Sequence, residues 1–189
     1  MVYNLTMDVH SLSIPDIKII KSKKLGDERG YFTELYTKKN FDENVDAINF
    51  VQDNQSLSVE KNVVRGLHFQ SPPFAQDKLV RCISGSILDV AVDIRKTSKY
   101  FGKHIAKVIS AQNFEQILVP KGFAHGFVTL EENTVINYKV SNYYSAENDH
   151  GLYWADPELM IEWGIDEKVA ILSEKDSNQP LLKDLITPF

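Results

Sequence analysis

The chain has 189 residues, 43% apolar and 25% charged, which is enough interior material for one ordinary domain and too few charges for a disordered one. Its formal net charge of -5 argues against broad nucleic-acid binding, while a local basic pocket for one phosphorylated ligand stays compatible with it. Cys82 is the only cysteine, which excludes an internal disulfide framework and a zinc site built from paired cysteines. No run of 18 apolar residues occurs, so no membrane-spanning helix is expected. The opening "MVYNLTMDVHSLSIPDIKII" shows no basic stretch followed by a long apolar one, and the cytoplasm is the expected location.

Taken in order, the segments read as short strands between turns. Residues 1–13 are expected to form a loose N-terminal extension to a single domain that takes up the whole chain. "DIKIIKSKKL" and "GYFTELY" follow as strands around the turn "DERG", and "KKNFDENV" is one short helix. "VVRGLHFQ" is strand-like but interrupted by a glycine. "KLVRCI" ends at the Ser84-Gly85 turn, and "SILDVAVDI" places Leu88, Val90, Val92 and Ile94 on one face with Asp89, Ala91 and Asp93 on the other. Asp89 and Asp93 are expected to be solvated. "HIAKVIS", "FEQILVP", "HGFVTL" and "TVINYKVSNYY" continue at a spacing of about ten residues, the rhythm of an all-β sandwich or barrel. The acidic "EEN", Glu131 to Asn133, reads as a hairpin turn, "PLLKDL" as a frayed terminal helix, and residues 177–189 as a tail. A double-sheet jelly roll is the most economical architecture.

Two segments carry histidines in a chemical setting. "VPKGFAHGF" contains Pro120, Gly122 and His125 as P-x-G-x-x-H, which resembles the second half of the cupin signature. Metal-binding cupins pair it with an H-x-H motif and a carboxylate. Here "GLHFQ" offers His68 alone, too few ligands to hold a transition metal, so no metal is expected. His10, His104 and His150 read as loose or surface residues.

The ordered set "GDERGYFTELY", "VQDNQSLS", "VVRGLHFQ", "KLVRCISGSILDVAVDIR", "FGKHIAKVIS", "VPKGFAHGFVTL", "NYKVSNYYS" and "LSEKD" resembles the dTDP-4-dehydrorhamnose 3,5-epimerase family, from Ile14 to Leu182. The resemblance implies a cupin-type jelly roll and an epimerisation beside a ketone that needs neither metal nor redox cofactor. It implies that His68 is the base, Asp176 its partner, Tyr138 the proton donor on the opposite face, and Lys78 the cation near the developing oxyanion. Read alone, Asp176 is a loop residue, Tyr138 a strand tyrosine and Lys78 a solvated lysine. The same resemblance implies that Arg65 grips phosphate and that Arg29, Glu34, Gln52, Asn54, His125, Tyr144, Asp149 and Lys175 contact the dTDP-sugar. In relatives part of this set arrives from a neighbouring subunit, so a homodimer with a shared nucleotide site is expected.

Two positions depart from the family pattern: Asp77 stands where Gly is usual, and Asp149 where Glu is frequent. An extra carboxylate beside Lys78 raises the question of its effect on that ammonium. Three alternatives remain at this point: an epimerase acting at carbon 3 alone, a metal-dependent cupin enzyme, and a non-catalytic sugar-nucleotide binder. "VVRGLHFQ" adds a geometric expectation. Arg65 and His68 are three apart and would face opposite ways on a regular strand, so serving one pocket requires a bulge, for which Gly66 is the natural place.

Overall fold

The computed structural model describes residues 7–189. Thirteen strands make up almost all of its regular structure. Six form one antiparallel sheet: β1 (Met7–Ser11), β2 (Lys18–Ser22), β5 (Gln52–Ser58), β7 (Lys78–Ser84), β10 (Glu115–Val119) and β12 (Thr134–Val140), in the order β1-β2-β10-β7-β12-β5. Five form a second: β6 (Val64–Gln70), β8 (Ser86–Asp93), β9 (His104–Ser110), β11 (Phe123–Thr129) and β13 (Asp149–Gly151), in the order β13-β6-β11-β8-β9. A small hairpin, β3 (Leu25–Asp27) and β4 (Gly30–Phe32), stands apart. The all-β jelly roll expected from the strand rhythm is the observed architecture.

Three apolar clusters organise the two sheets. The first lies between them, with Val80, Ile87, Ala91, Ile117, Phe123, Phe127 and Ile136. The second covers the outer face of the five-stranded sheet, where Val64, Leu67, Val90, Val92 and Val128 meet Leu152, Trp154 and Trp163. The third seats helix α1 (Lys38–Asn44) on the outer face of the six-stranded sheet through Phe41, Leu79 and Leu118. Strand β8 is therefore covered on both faces, with Ile87 and Ala91 on the inner one and Val90 and Val92 on the outer.

Four expectations change. Residues 7–11 are not loose: Met7–Ser11 pairs along its whole length with β2, and His10 is part of that edge strand; residues 1–6 of the expected extension lie outside the described residues. Glu131 to Asn133 is a turn but not a hairpin, because β11 and β12 belong to different sheets and the turn carries the chain across. Residues 177–189 are packed down, with Leu182, Leu185 and Phe189 against the second cluster and the Thr187 hydroxyl donating to the Ile94 carbonyl. Asp89 and Asp93 are fully buried rather than solvated; His125 binds the first, and Arg95 and Ser98 bind the second. Alternation alone marks two faces but does not say that both are covered. No helix among the described residues is long and apolar enough to cross a membrane.

Candidate active site

The irregularity expected at Gly66 is present. Strand β11 pairs His125 with His68 and Phe127 with Arg65, so three steps on β6 oppose two on β11. Gly66 has φ +124°, and a Cβ there would lie 2.5 Å from the Gly126 Cα and 2.8 Å from the His125 carbonyl oxygen. Only glycine fits that close approach. The bulge turns Arg65 and His68 to the same side, and both line a cavity of about 480 Å³ at the inner face of the five-stranded sheet.

Lys78, His125, Tyr138, Lys175 and Asp176 line the same cavity, together with Ser56, Val80, Ile136 and Leu172. Asp176 arrives from far along the chain. The segment before it is tied to β6 by the Val64 amide donating to the Ile171 carbonyl and the Ile171 amide donating to Asn62. Ser173 then caps the short helix α2 (Glu174–Ser177), its Oγ accepting from the Asp176 amide at 3.1 Å. This leaves Asp176 buried, with Oδ1 2.5 Å from His68 Nε2. Burial pushes the Asp176 carboxyl up, but bonds from His68, Ser173 and the Gly66 backbone outweigh it and hold the group below the usual carboxylate value.

Lys78 opens β7 and reaches the His68 carbonyl at 3.4 Å. Burial brings its pKa down to about 8, against the opposing pull of Asp149 and Asp89. Asp77, the unusual neighbour, turns elsewhere: its two carboxylate oxygens accept from the Lys121 amide at 3.1 Å and the Ser141 hydroxyl at 2.8 Å. It ties the start of β7 to the end of β12 and does not pair with Lys78. On β12, Tyr138 is half-buried, and burial raises its phenol above the ordinary value, slightly offset by Arg65.

The remaining expected contacts fall into two groups. Gln52 and Asn54 lie on β5, where Asn54 is the cross-strand partner of Tyr138 and Gln52 that of Val140. With Ser56 they run as a polar stripe outward from the cavity, Gln52 Nε2 donating to Asn54 Oδ1 at 2.8 Å. At the mouth, Asp149 Oδ2 accepts from Lys175 Nζ at 2.5 Å and from the exposed Tyr144 hydroxyl at 3.1 Å. Asp149, with its shorter reach than Glu, thus bridges the two.

Arg29 and Glu34 are elsewhere. Arg29 is exposed in the turn between β3 and β4 and pairs with Asp27. Glu34 lines a depression with Asp53, Arg81, Asn137 and Lys139, the outward residues of the six-stranded sheet. The six-stranded sheet separates Glu34 from the cavity of its own chain, and Arg29 does not line that cavity either.

Sequence reasoning missed one member. Asp89, from β8, places Oδ2 2.9 Å from His125 Nε2. Its signal was present: the supposedly solvated face of "SILDVAVDI" also carries Ile87 and Ala91, both wholly buried. His68 and His125 therefore each engage a carboxyl group of their own, and among the described residues no cluster of three or more His, Cys, Asp or Glu is arranged to hold a metal ion.

The cavity thus joins a histidine–carboxylate pair, a second histidine, a lysine of lowered pKa, a phenol and an arginine. Comparison with known proteins gives the same direction. A family model described as dTDP-4-dehydrorhamnose 3,5-epimerase matches residues 11–184. A protein of that name from Sinorhizobium fredii is 51% identical over 183 residues, covering 97% of this chain and 93% of the relative. Among solved structures, the Legionella pneumophila dTDP-6-deoxy-D-glucose-3,5-epimerase in complex with dTDP-4-keto-L-rhamnose superposes with a TM-score of 0.90 at 42% identity, covering 96% of this chain and 95% of that one. The Bacillus anthracis dTDP-4-dehydrorhamnose 3,5-epimerase with TDP and PPi bound gives 0.90 at 46%, covering 93% and 99%. With the family model spanning nearly the whole chain and relatives of this identity along its full length, the chain belongs to the dTDP-4-dehydrorhamnose 3,5-epimerase family.

Proposed function

We propose that the protein inverts carbons 3 and 5 of dTDP-4-dehydro-6-deoxy-D-glucose to give dTDP-4-dehydro-L-rhamnose, a step of dTDP-L-rhamnose biosynthesis, and we place the reaction in the cytoplasm. The observation that carries the mechanism is the His68–Asp176 pair inside a cavity that also holds Tyr138 and Lys78. With Nε2–H donated to Asp176, Nδ1 of His68 keeps its lone pair for a proton on carbon. Both carbons flank the C4 ketone, so removing either proton moves the C–H electron pair into a C=C bond and the carbonyl pair onto O4. An ammonium at Lys78 stabilises that oxygen as charge develops. Reprotonation by the Tyr138 hydroxyl from the opposite face returns the ketone with the carbon inverted. Arg65 is suited to the pyrophosphate, as a guanidinium forms charge-assisted and often bidentate bonds to it. His125, Lys175, Asp149, Tyr144, Gln52 and Asn54 extend the contact surface toward the rest of the substrate. None of these steps draws on a metal or a redox cofactor.

Incubation with dTDP-4-keto-6-deoxyglucose in deuterated water tests this reading. Label is expected at both carbon 3 and carbon 5. Label at carbon 3 alone would make the protein a 3-epimerase, and label at neither would remove the epimerase reading altogether.

Arg29 and Glu34 contribute to nucleotide binding in this scheme only from a second copy, since neither lines the cavity of its own chain. The protein is accordingly a homodimer whose site is completed by the partner. Subunit complementation reads this directly. Arg29→Ala and His68→Asn, each impaired alone, are expected to regain activity when mixed and reassociated, because one site in the mixed dimer has both residues intact. A mixture no more active than its components would make Arg29 irrelevant to a shared site.

A further inference from the structure

Asp89 is harder to explain as part of the fold than any other buried carboxyl group near the cavity. It lies in the middle of β8, completely buried, with Ile87 and Ala91 beside it on the same face and Leu88 and Val90 turned to the other. Oδ2 meets His125 Nε2 at 2.9 Å, while Oδ1 is buried with no hydrogen-bond partner among the described residues. Asp93, two turns of the pleat along the strand, differs: its oxygens are shared among Arg95, Ser98 and the Arg95 amide. A carboxyl group held by one bond in an apolar interior lowers stability relative to an apolar residue of similar size. Packing therefore favours another residue at this position; besides its charge acting on Lys78, the single hydrogen bond Asp89 makes among the described residues holds the His125 ring.

That ring is placed beside the reacting centre. His125 is the direct cross-strand partner of His68 and pairs on its other side with Ala91 of β8, so Asp89, His125 and His68 occupy three adjacent strands and one inner face. A histidine can present either nitrogen, each as donor or acceptor according to where the proton sits. Here Nε2 is taken, and Nδ1 is the nitrogen left for the cavity that His125 lines.

We propose that Asp89 is a positioning residue of the epimerisation: by accepting the Nε2 proton of His125 it fixes the ring and its tautomer, so that Nδ1 is the atom that meets the sugar. This deepens the reaction assigned above and rests on it. The only hydrogen-bond partner of Asp89 among the described residues is that ring, so the carboxyl group is committed to His125. Without Asp89 the ring is free to turn or to move its proton, and a hydrogen bond to the sugar next to His68 changes direction or is lost. Misplacing a contact this close to the reacting atoms costs rate more than binding.

Asp89→Asn tests the proposal, since asparagine keeps the shape but also offers an amide donor to Nε2. In protein carrying 15N-labelled histidine and saturated with dTDP, the wild type is expected to show the His125 proton on Nε2, and the variant a changed tautomer. Deuterium exchange at carbon 3 should fall in kcat by about a hundredfold, the scale of a misplaced contact beside the reacting atoms. The KM for the sugar nucleotide should stay close to that of the wild type, and the melting temperature should be equal or higher. In a His125→Asn background, assayed well below the Lys78 pKa of about 8 so that this lysine keeps its proton, Asp89→Asn should cost nothing further, because two residues acting as one unit are not additive. A wild-type proton on Nδ1, an unchanged tautomer in the variant, or a full rate loss that persists in the His125→Asn background would each overturn the proposal. The wild-type spectrum needs no variant to fold. Wild-type protein that exchanges no deuterium would instead sink the assigned reaction, leaving the spectra to decide separately whether Asp89 sets the ring.

Discussion

His68→Asn is expected to lower deuterium exchange at both carbons by at least about a hundredfold, the lower end for loss of a general base. The folded state and the affinity for dTDP should be retained. Asparagine overlays its amide on Cδ2 and Nδ1 of the ring and stops short of the Nε2 position, so Asp176 loses this partner but keeps its bonds from Ser173 and the Gly66 backbone. What it lacks is a nitrogen lone pair of suitable basicity. Single-turnover measurement in deuterated water, with isothermal titration of dTDP, separates the two quantities. Near-normal exchange would remove His68 from the mechanism. A weak acid-stability effect should accompany the change. Although burial opposes it, the bonds from His68 and its neighbours hold the Asp176 carboxyl below its ordinary value. That pairing stabilises the fold above about pH 4 and is lost as pH falls through the lowered value. The asparagine variant should therefore lose less stability on acidification than the wild type.

The second large effect concerns Lys78. Burial brings its pKa to about 8, so the free enzyme loses this cation as pH rises through that value. The pH profile of kcat/KM, which reports the free enzyme, is expected to fall on the alkaline side near pH 8. Tyr138 does not supply that limb, because its phenol is raised by burial. Lys78→Arg should abolish the limb, as a guanidinium stays protonated throughout, while lowering the maximum because its planar fork is shaped differently. Lys78→Met should cost about 3 kcal/mol, or roughly a hundredfold, as for loss of one preorganised donor to an oxyanion. An unchanged alkaline limb in Lys78→Arg would assign it to another group. Folding stability moves the opposite way from activity. Between about 8 and 10.5 the unfolded chain keeps a proton on Lys78 that the native state has shed, so this group adds stability as pH rises through that window.

Much of the architecture was legible because strand alternation and turn residues are local signals. "HIAKVIS" occupies His104–Ser110, and "KKNFDENV" contains the helix Lys38–Asn44. Edge strand β1 was not legible: "MDVHS" has little strand character of its own, and it is extended because β2 offers an unpaired edge. Asp176 is a loop residue by every local measure. Its place beside His68 depends on the backbone bonds that dock Ile171 against Asn62 and Val64 at the start of β6, more than 100 positions earlier. Family resemblance supplied that pairing, as it supplied Arg29 and Glu34 as candidates; that Glu34 lies beyond the sheet no local pattern encodes. The Gly66 bulge combined the two: the resemblance put Arg65 and His68 in one pocket, and two residues three apart share a strand face only across an irregularity.

That bulge has a counterpart on the facing strand. A Cβ added at Gly126 would lie 2.6 Å from the Arg65 carbonyl oxygen and 3.0 Å from the Gly66 Cα, mirroring the contact made from Gly66. Each position is thus closed by the other's bare backbone. In most tight contacts a larger residue on one side can be offset by a smaller one opposite, but here both sides are already at the minimum. Neither site has a compensating neighbour, so the pair is a fixed point around which the cavity can be redesigned but through which no sequence drift can pass. Because His125 and His68 are the paired residues immediately alongside, the interval between the two rings is set by main chain rather than by side-chain packing.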